Sequence, residues 1–466
     1  MIKVGILSFS DGRKRVHDSL AKYIGETQET LKQTLVRTGE VEAHTAQEIA
    51  WNPEIVREQV RALLAGDPDA LIFNVQVFAF PNLSAIAARL TNVPVLAYCT
   101  RNPTLPGLGG VQAAVNMIRQ QGMHCSKLWG NCEDPQDLER IMAFLRAAHA
   151  ATRLRGQVYG LFGGRSIGMG SGAVNPDLWM KVFGVDVDHI DELEIIRRSD
   201  LVDQAEVDKA MAWLQERMRA INFDDNKLTR MSLERQVRTY VATRQIIEDR
   251  KLDFAGVKCH YDMSEYFVTQ CMSAAFFNDP YDWNGPKEPF VLSCEADSDG
   301  ALTMQIMHLI SRLPVLFIDL RYYNVKEDAL TLCNCGSMAT WYAARSEDPA
   351  ENLAGVSASG IIPKYGGEGA HIHFMAREGD MTLARLTRVL DRYTLTVFKG
   401  QCVRFPEEKM AESAPVWPHA FMKLPFPFER LIERFDNNHL HVVSGDWVAE
   451  LSQFCELAGI ELNLVE

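Results

Sequence analysis

The sequence predicts an α/β protein in which two parallel-sheet domains precede a β-rich third domain. Short apolar strands alternate with amphipathic helices up to about residue 320, which is typical of parallel sheets covered by helices on both faces. From about Tyr322 onward the strands alternate polar and apolar residues, as half-exposed antiparallel strands do. We therefore predict domains at residues 1–154, 155–320 and 321–466.

Size and charge exclude several classes of protein. The chain has 466 residues, 47% of them hydrophobic, so each domain can bury a core. A formal charge of −13 argues against a nucleic-acid partner, which calls for a basic surface. No apolar run approaches the ~18 residues of a membrane span, and residues 1–7 read as a buried strand and not as a signal peptide. We expect a cytoplasmic enzyme whose ten cysteines are reduced.

The first domain alternates strand and helix throughout. Asp11-Gly12-Arg13 ends the first strand at a ligand-binding edge, where Arg13 could bind a polyol or a carboxylate through forked hydrogen bonds. We interpret Gly107-Leu108-Gly109-Gly110 as a loop, because it matches a dinucleotide motif poorly. The predicted strands are 2–7, 70–73, 93–98 and 126–129, and the predicted helices are 15–36, 53–64, 83–90, 111–120 and 135–153.

A glycine-rich segment opens the second domain. The strand 157–162 breaks into residues 163–170, where glycine lets the backbone approach a small polar ligand. Helices at 205–220 and 232–250 and a strand at 255–259 follow.

Two acids end two successive apolar runs, 289–294 and 314–318. Glu295 follows the first run and Asp319 ends the second, with a predicted helix at 301–313 between them. A right-handed crossover would make the strands parallel and bring both acids to one ligand-binding edge of a single sheet. Such a pair can hold a divalent metal or divide acid and base roles. The alternative is that each acid caps a helix or pairs with a lysine.

The third domain supplies histidines. Its strands, predicted at 329–334, 371–376, 381–386 and 392–404, suggest an antiparallel sheet or barrel. His439 beside two carboxylates would complete a site for Mn²⁺ or Mg²⁺, and His441 lies on the same face of an extended segment. His371 and His373 form a rival pair with the same spacing. The Cys-x-Cys at 333–335 lacks the second pair that a zinc site needs.

In this order along the chain, these segments resemble the L-fucose isomerase family, a relative of the L-arabinose isomerases. Residues 11–13 are similar to its N-terminal substrate-contact segment, and residues 163–169 to its glycine-rich signature. The resemblance implies two Rossmann-like domains, a β-rich barrel, Mn²⁺ or another divalent cation, and aldose–ketose isomerisation through an enediol. It also implies a homohexamer in which the N-terminal domain helps to build a neighbour's site.

The resemblance also implies roles for individual residues. Glu295 and Asp319 would be both catalytic residues and metal ligands, and His439 would be the third ligand. The implied substrate-binding residues are Arg13, Lys258, His260 and Asn438. Histidine at 260 replaces an expected amide, and the tryptophan-containing segment expected near residues 77–81 is missing, so the sugar stays open.

Three other functions fit parts of the pattern. The same metal-dependent chemistry could serve an epimerase of the same fold, or act on a sulfonated or otherwise modified sugar. A non-catalytic sugar-binding protein would need only two α/β lobes around a cleft. An NAD-linked dehydrogenase would need a better glycine motif than residues 107–110 provide.

Overall fold

The computed structural model describes residues 1–466, which form two compact units. The first unit is Met1–Arg153 with Ala449–Ala458, and the second is Leu154–Val448 with Gly459–Glu466. Parallel α/β sheets and a β-rich C-terminal sheet are both present, so the predicted fold class is confirmed. The boundary drawn at residue 320 stays a prediction. None of the helices combines the length and the apolar character that spanning a bilayer requires.

The first unit contains a five-stranded parallel sheet. Two of its central strands are buried along their whole length, as strands covered on both faces must be. The strands are β1 (Ile2–Ser8), β2 (Val41–Thr45), β3 (Ala70–Asn74), β4 (Val95–Cys99) and β5 (Ser126–Trp129), and the helices are α1 (Lys14–Arg37), α2 (Pro53–Leu64), α3 (Pro81–Leu90), α4 (Gly107–Arg119) and α5 (Pro135–Leu154). The strand order is β2-β1-β3-β4-β5.

The loop predicted at residues 107–110 is wrong, because these residues form the first turn of α4. The glycines permit close packing of this turn. A Cβ atom at Gly110 would lie 2.3 Å from the carbonyl oxygen of Val77. Close packing against the segment that follows β3, and not a bound dinucleotide, therefore accounts for this glycine.

The second unit begins with a four-stranded parallel sheet in the order β12-β9-β6-β7. Its strands, and the short strands near it, are β6 (Val158–Phe162), β7 (Asp186–Ile190), β8 (Ala220–Asn222), β9 (Phe254–Val257), β10 (Tyr281–Asp282), β11 (Gly285–Pro286) and β12 (Leu292–Ser293). The helices are α6 (Pro176–Val182), α7 (Glu192–Ser199), α8 (Gln204–Arg217), α9 (Arg230–Arg250), α10 (Ser264–Tyr266), α11 (Cys271–Asn278) and α12 (Ser298–Ser311).

The rest of the second unit is built around a closed antiparallel barrel. Its strands and their neighbours are β13 (Leu316–Asn324), β14 (Ala329–Cys333), β15 (Ser357–Gly360), β16 (Ala370–His373), β17 (Gly379–Val389), β18 (Arg392–Val403), β19 (His419–Lys423), β20 (His439–Ser444) and β21 (Glu461–Leu464). The remaining helices of this unit are α13 (Pro349–Leu353), α14 (Glu408–Ala411) and α15 (Phe428–Arg434). The helix α16 (Val448–Ala458), all but its first residue, belongs to the first unit. The order β17-β20-β13-β14-β19-β18 closes because β18 also pairs with β17.

The predicted parallel crossover between the two acid-bearing strands is wrong. β12 has only two residues and pairs in parallel with β9, whereas β13 pairs antiparallel with β14 and β20 in the barrel. The nine residues of β13 find antiparallel partners on both sides, which two-residue β12 cannot offer. The buried helix α12 packs on strands of both the sheet and the barrel, and so brings the two acids together from different sheets.

Candidate functional site

Glu295, Asp319 and His439 lie together in the second unit. Asp319 and His439 are direct partners in the β13–β20 ladder. The Nε2 atom of His439 is 3.2 Å from Oδ1 of Asp319 and 3.6 Å from Oε2 of Glu295. The imidazole is fully buried, while the Glu295 and Asp319 side chains are 19% and 30% exposed. The two carboxylates therefore remain reachable from solvent, and the imidazole supports them from the interior.

A tight turn after β12 positions the first acid. Glu295 has φ +56° and Ala296 has φ +49°, both in the left-handed region that residues with a Cβ atom rarely adopt. The next residue, Asp297, caps α12 by accepting a hydrogen bond from the backbone N–H of Gly300 at 3.1 Å. The turn thus places two carboxylates, Glu295 and Asp297, at the start of one buried helix.

Asp297 fixes the orientation of the His439 ring. Nδ1 of His439 donates to Oδ2 of Asp297 at 2.7 Å, and both side chains are fully buried. With Nδ1 held by Asp297, Nε2 is the ring atom that faces Glu295 and Asp319. Carboxylates in this position orient histidine ligands in many metal sites.

Arg385 of β17 balances the charge of Asp297. Its guanidinium forms a two-pronged ion pair, with Nη1 2.6 Å from Oδ2 and Nη2 3.1 Å from Oδ1 of Asp297. Burial raises the pKa of Asp297, but Arg385 and His439 outweigh this effect and hold the pKa well below its usual range. Asp297 is therefore ionised and accepts hydrogen bonds only.

The carboxylates around His439 create a negative electrostatic potential at its ring. Burial disfavours a charged imidazole, but the hydrogen bond to Asp297 and the negative charges of Asp297 and Asp319 outweigh it and raise the pKa of His439 to about 10 in the absence of a cation. Burial also raises the pKa of Glu295, against the opposing effect of His439. A group of donors that holds a proton this firmly also attracts a divalent cation, which would take the proton's place.

The residues fit a divalent cation. Nε2 of His439 is buried and makes no hydrogen bond of good geometry, although two carboxylates face it. One imidazole and two carboxylates that leave open positions suit Mn²⁺ or Mg²⁺. The donor atoms are not spaced as in a formed metal centre, so the metal itself stays a prediction.

The glycine-rich loop, residues 163–170, contacts the segments that contain two of the predicted substrate-binding residues, Asn438 and His260. Nδ2 of the exposed Asn438, which precedes His439, is 3.9 Å from the sulfur of Met169. The hydroxyl of Ser166 donates to the carbonyl oxygen of His260. The loop is therefore bonded both to the segment that precedes β20 and to the segment that follows β9.

The contacts of His260 and Lys258 are mostly local. The ring of His260 meets that of Tyr365 edge to face at 5.2 Å, and its Nδ1 lies 3.1 Å from the hydroxyl of Ser264. Lys258 forms an ion pair with Asp262, and this hydrogen bond raises the lysine pKa. Sugar binding by Lys258, His260 and Asn438 stays a prediction.

Arg13 belongs to the first unit. Its guanidinium forms a forked contact with Asp11 at 2.9 and 2.7 Å, and its side chain is 68% exposed. This hydrogen bonding lowers the pKa of Asp11. The fork is already used within the loop, and sugar binding by Arg13 stays a prediction.

The other histidines have different partners. His371 has Nδ1 3.5 Å from the sulfur of Cys271 and accepts from the N–H of Ile362 at Nε2, and burial lowers its pKa to about 3. His373 lies 3.0 Å from the hydroxyl of Ser359. Neither of these contacts involves the two acids or His439, so the rival pair does not complete this site.

His441 stands behind the site. Its Nε2 lies 3.2 Å from Nη1 of Arg385 and must accept, because a guanidinium only donates. Burial and this cation hold the pKa of His441 well below the usual range. The neutral ring therefore supports the Arg385–Asp297 pair.

Sequence reasoning missed Asp297 and Arg385. Asp297 could have been found from its position, because it is a second carboxylate two residues after Glu295 and just before a predicted helix. No local signal marks Arg385, because it meets Asp297 only through long-range packing of β17 on α12.

Family models of one enzyme match nearly the whole chain. The first N-terminal domain of L-fucose isomerase matches residues 1–156, and the second matches 157–253 and 251–312. The C-terminal domain of L-fucose isomerase matches residues 332–466. The segments that hold Glu295 and His439 lie within these matches.

Curated relatives are similar over part of their length. L-fucose isomerase from Streptococcus pneumoniae serotype 4 is 26% identical over 251 residues, covering 47% of this chain and 42% of that protein. L-fucose isomerase from Bacteroides fragilis is 28% identical over 293 residues, covering 55% and 47%. The matches thus cover about half of the length of these relatives. A solved solute-binding protein from Actinobacillus succinogenes with bound D-allose covers 67% of this chain, but at 10% identity and a TM-score of 0.18.

Proposed function

Because this chain belongs to the L-fucose isomerase family, we propose that it is a divalent-cation-dependent isomerase that interconverts an aldose and its 2-ketose. One observation carries the proposal. Nε2 of His439 lies 3.2 and 3.6 Å from two partly exposed carboxylates, while Asp297 fixes the other ring nitrogen.

Glu295, Asp319 and His439 would hold the cation, with Mn²⁺ as the first candidate and Mg²⁺ as the second. When bound, such a cation supplies Lewis-acid stabilisation of negative charge on neighbouring sugar oxygens. When the cation takes the place of the proton on Nε2 of His439, Asp297 would hold the other ring proton on Nδ1, and Arg385 keeps Asp297 ionised.

The two carboxylates would also move protons. In the proposed scheme one of them takes the proton from C2 of the open-chain sugar and returns it to C1, through a cis-enediol. The other moves the hydroxyl proton between the two sugar oxygens, and the roles exchange in the reverse direction. Burial raises the pKa of Glu295, which makes this carboxylate a better proton acceptor than a solvent-exposed glutamate.

The remaining polar groups would bind the rest of the sugar. Asn438 stands next to His439, and the glycine-rich loop ties its segment to that of His260. In the proposed homohexamer, Arg13 would reach a neighbour's site. The mass of the 52.4 kDa chain in solution, measured by light scattering, tests the hexamer. A cytoplasmic location stays a prediction.

A substrate screen with and without metal tests the function. The protein is freed of metal by chelation and then incubated with a panel of aldoses and ketoses, with Mn²⁺ and without it. NMR of the products is expected to show ketose formed from one aldose only when Mn²⁺ is present. An epimeric aldose as the product would support the epimerase instead. Binding of a sugar without turnover, or turnover unaffected by chelation, would contradict the proposal.

A matched pair of variants tests the site. Glu295→Gln is expected to lower the turnover number by ~10²–10⁴, the usual contribution of one positioned acid or base. The control is Glu412→Gln, which alters an acid that pairs with Lys409 at the surface. Near-normal activity of the Glu295 variant would refute the scheme.

A further inference from the structure

Four reduced cysteines meet next to Glu295, although they come from distant parts of the chain. The thiol of Cys259 is hydrogen-bonded with that of Cys271, and Cys294 and Cys335 lie near it. The sulfur of Cys271 donates to the carbonyl oxygen of Cys335 at 2.8 Å. The sulfurs of Cys294 and Cys335 are 3.6 Å apart, in van der Waals contact. The isomerase scheme above uses none of these thiols.

We propose that Cys294 and Cys335 are a modification site, at which a peroxide joins them in a disulfide that disables Glu295. The two sulfurs need to approach from 3.6 Å to the ~2.05 Å of a disulfide bond. Cys335 is the partly exposed member of the cluster, whereas Cys259, Cys271 and Cys294 are buried. Peroxide therefore reaches Cys335 first, and Cys294 is the thiol already in contact with it.

The reaction balances with hydrogen peroxide as the oxidant. The thiol of Cys335 loses its proton and its sulfur attacks one peroxide oxygen, which gives a sulfenic acid. The O–O bond breaks, and the other oxygen takes up the proton and leaves as water. The sulfur of Cys294 then attacks the sulfenic sulfur, the S–S bond forms, and a second water leaves. Two thiols lose two protons and two electrons, and one peroxide becomes two waters.

The disulfide would act on Glu295 through the backbone. Cys294 is bonded directly to Glu295, and the next two φ angles, +56° at Glu295 and +49° at Ala296, leave this turn little freedom to absorb a shift. A displacement of the catalytic group by about 1 Å lowers the rate by about 10²-fold. This consequence rests on the proposed function, whereas formation of the disulfide does not.

The experiment oxidises the full-length protein with hydrogen peroxide and maps the link without reduction. Free thiols are blocked with N-ethylmaleimide, the protein is digested, and mass spectrometry is expected to find the peptides of Cys294 and Cys335 joined with the loss of two hydrogens. Isomerase activity, measured in parallel, is expected to fall by 10-fold or more and to return after dithiothreitol. Mn²⁺ affinity, which needs no turnover, is expected to fall with it.

Two variants make the result decisive. Cys335→Ser is expected to form no link and to keep its activity in peroxide, because the hydrogen bond from Cys271 goes to a backbone carbonyl that serine retains. Cys402→Ser removes a buried thiol whose sulfur contacts the carbonyl of Ala376, and it should behave as the wild type does.

The outcomes separate this inference from the proposed function. No link in a protein that isomerises sugars would overturn the inference alone. Equal inactivation of the wild type and the Cys335 variant, or full activity and Mn²⁺ affinity of the linked protein, would overturn it as well. A link that lowers Mn²⁺ affinity in a protein without isomerase activity would support the inference and contradict the proposed function.

Discussion

Replacing Asp297 by asparagine tests whether its charge orients the ring of His439. Each carboxylate oxygen accepts two hydrogen bonds: Oδ2 from Arg385 and His439, and Oδ1 from Arg385 and Gly300. An amide has one acceptor and one donor, so its NH₂ group must face two donors whichever way it is turned. If it faces His439, the ring is forced to carry its proton on Nε2, against Glu295 and Asp319.

The expected effect follows from the contacts that are lost. Breaking one side of a buried ion pair leaves the guanidinium of Arg385 uncompensated and lowers the free energy of unfolding by ~3–5 kcal/mol. Loss of a carboxylate that orients a histidine ligand lowers metal affinity by ~10–100-fold. Asparagine still caps α12 well, so these losses report on the ion pair and the ring and not on the helix.

Urea denaturation measures the loss of unfolding free energy in the Asp297→Asn variant, and Mn²⁺ titration measures its loss of metal affinity. The matched control is Asp299→Asn, two residues further on. Asp299 is buried, its Oδ1 makes no hydrogen bond, and burial raises its pKa to about 7. An amide replaces a half-protonated acid there with little loss, and Mn²⁺ affinity should not change. Wild-type stability and wild-type Mn²⁺ affinity in the Asp297 variant would refute the reasoning.

Three further predictions concern other parts of the chain. Burial raises the pKa of Glu192 to about 8, so the folded state keeps a proton that the unfolded chain releases above about pH 4.3. Between pH 5 and pH 8 this group should therefore lower the free energy of unfolding of the wild type by ~1.4 kcal/mol per pH unit. In urea titrations Glu192→Gln should remove this pH dependence. Equal slopes in the variant and the wild type would contradict the prediction. His439→Gln should lower the affinity for Mn²⁺ by more than about tenfold, whereas His371→Gln should leave it unchanged. A larger loss in the His371 variant would favour His371 and His373 as the ligands. Gly110→Ala should lower the free energy of unfolding of the first unit by ~1–3 kcal/mol, because the new Cβ atom would lie 2.3 Å from the carbonyl oxygen of Val77. An unchanged melting curve would contradict this and show that α4 can move to make room.

Patterns within a short window predicted much of the fold. The helix predicted at 53–64 has those bounds in the structure, because Asn52 caps it and Pro53 begins it. The alternation of polar and apolar residues at 381–386 and 392–404 predicted an antiparallel pair, and β17 and β18 form it. These signals depend on neighbours in sequence, so the sequence contains them directly.

Features that depend on distant partners could not be predicted. The run 289–294 looks like a full strand, but only two of its residues pair with β9. Asp319 was assigned to the same sheet because a helix connects the two runs, whereas β20 captures β13 in the barrel. The ion pair of Asp297 with Arg385 joins residues 88 positions apart, and no periodicity marks it.

The buried helix α12 packs against both the parallel sheet and the barrel of the second unit, and Glu295 lies in the turn just before it. Neither the parallel sheet nor the barrel alone holds Glu295, Asp319 and His439, the three proposed ligands, so a fragment that lacks β20 would keep both acids and lose the imidazole. A cation held there binds only the folded second unit and therefore shifts the unfolding equilibrium by mass action. The midpoint of melting of that unit should rise with Mn²⁺ concentration, while the first unit, which contains none of the three groups, gains nothing directly from the ion.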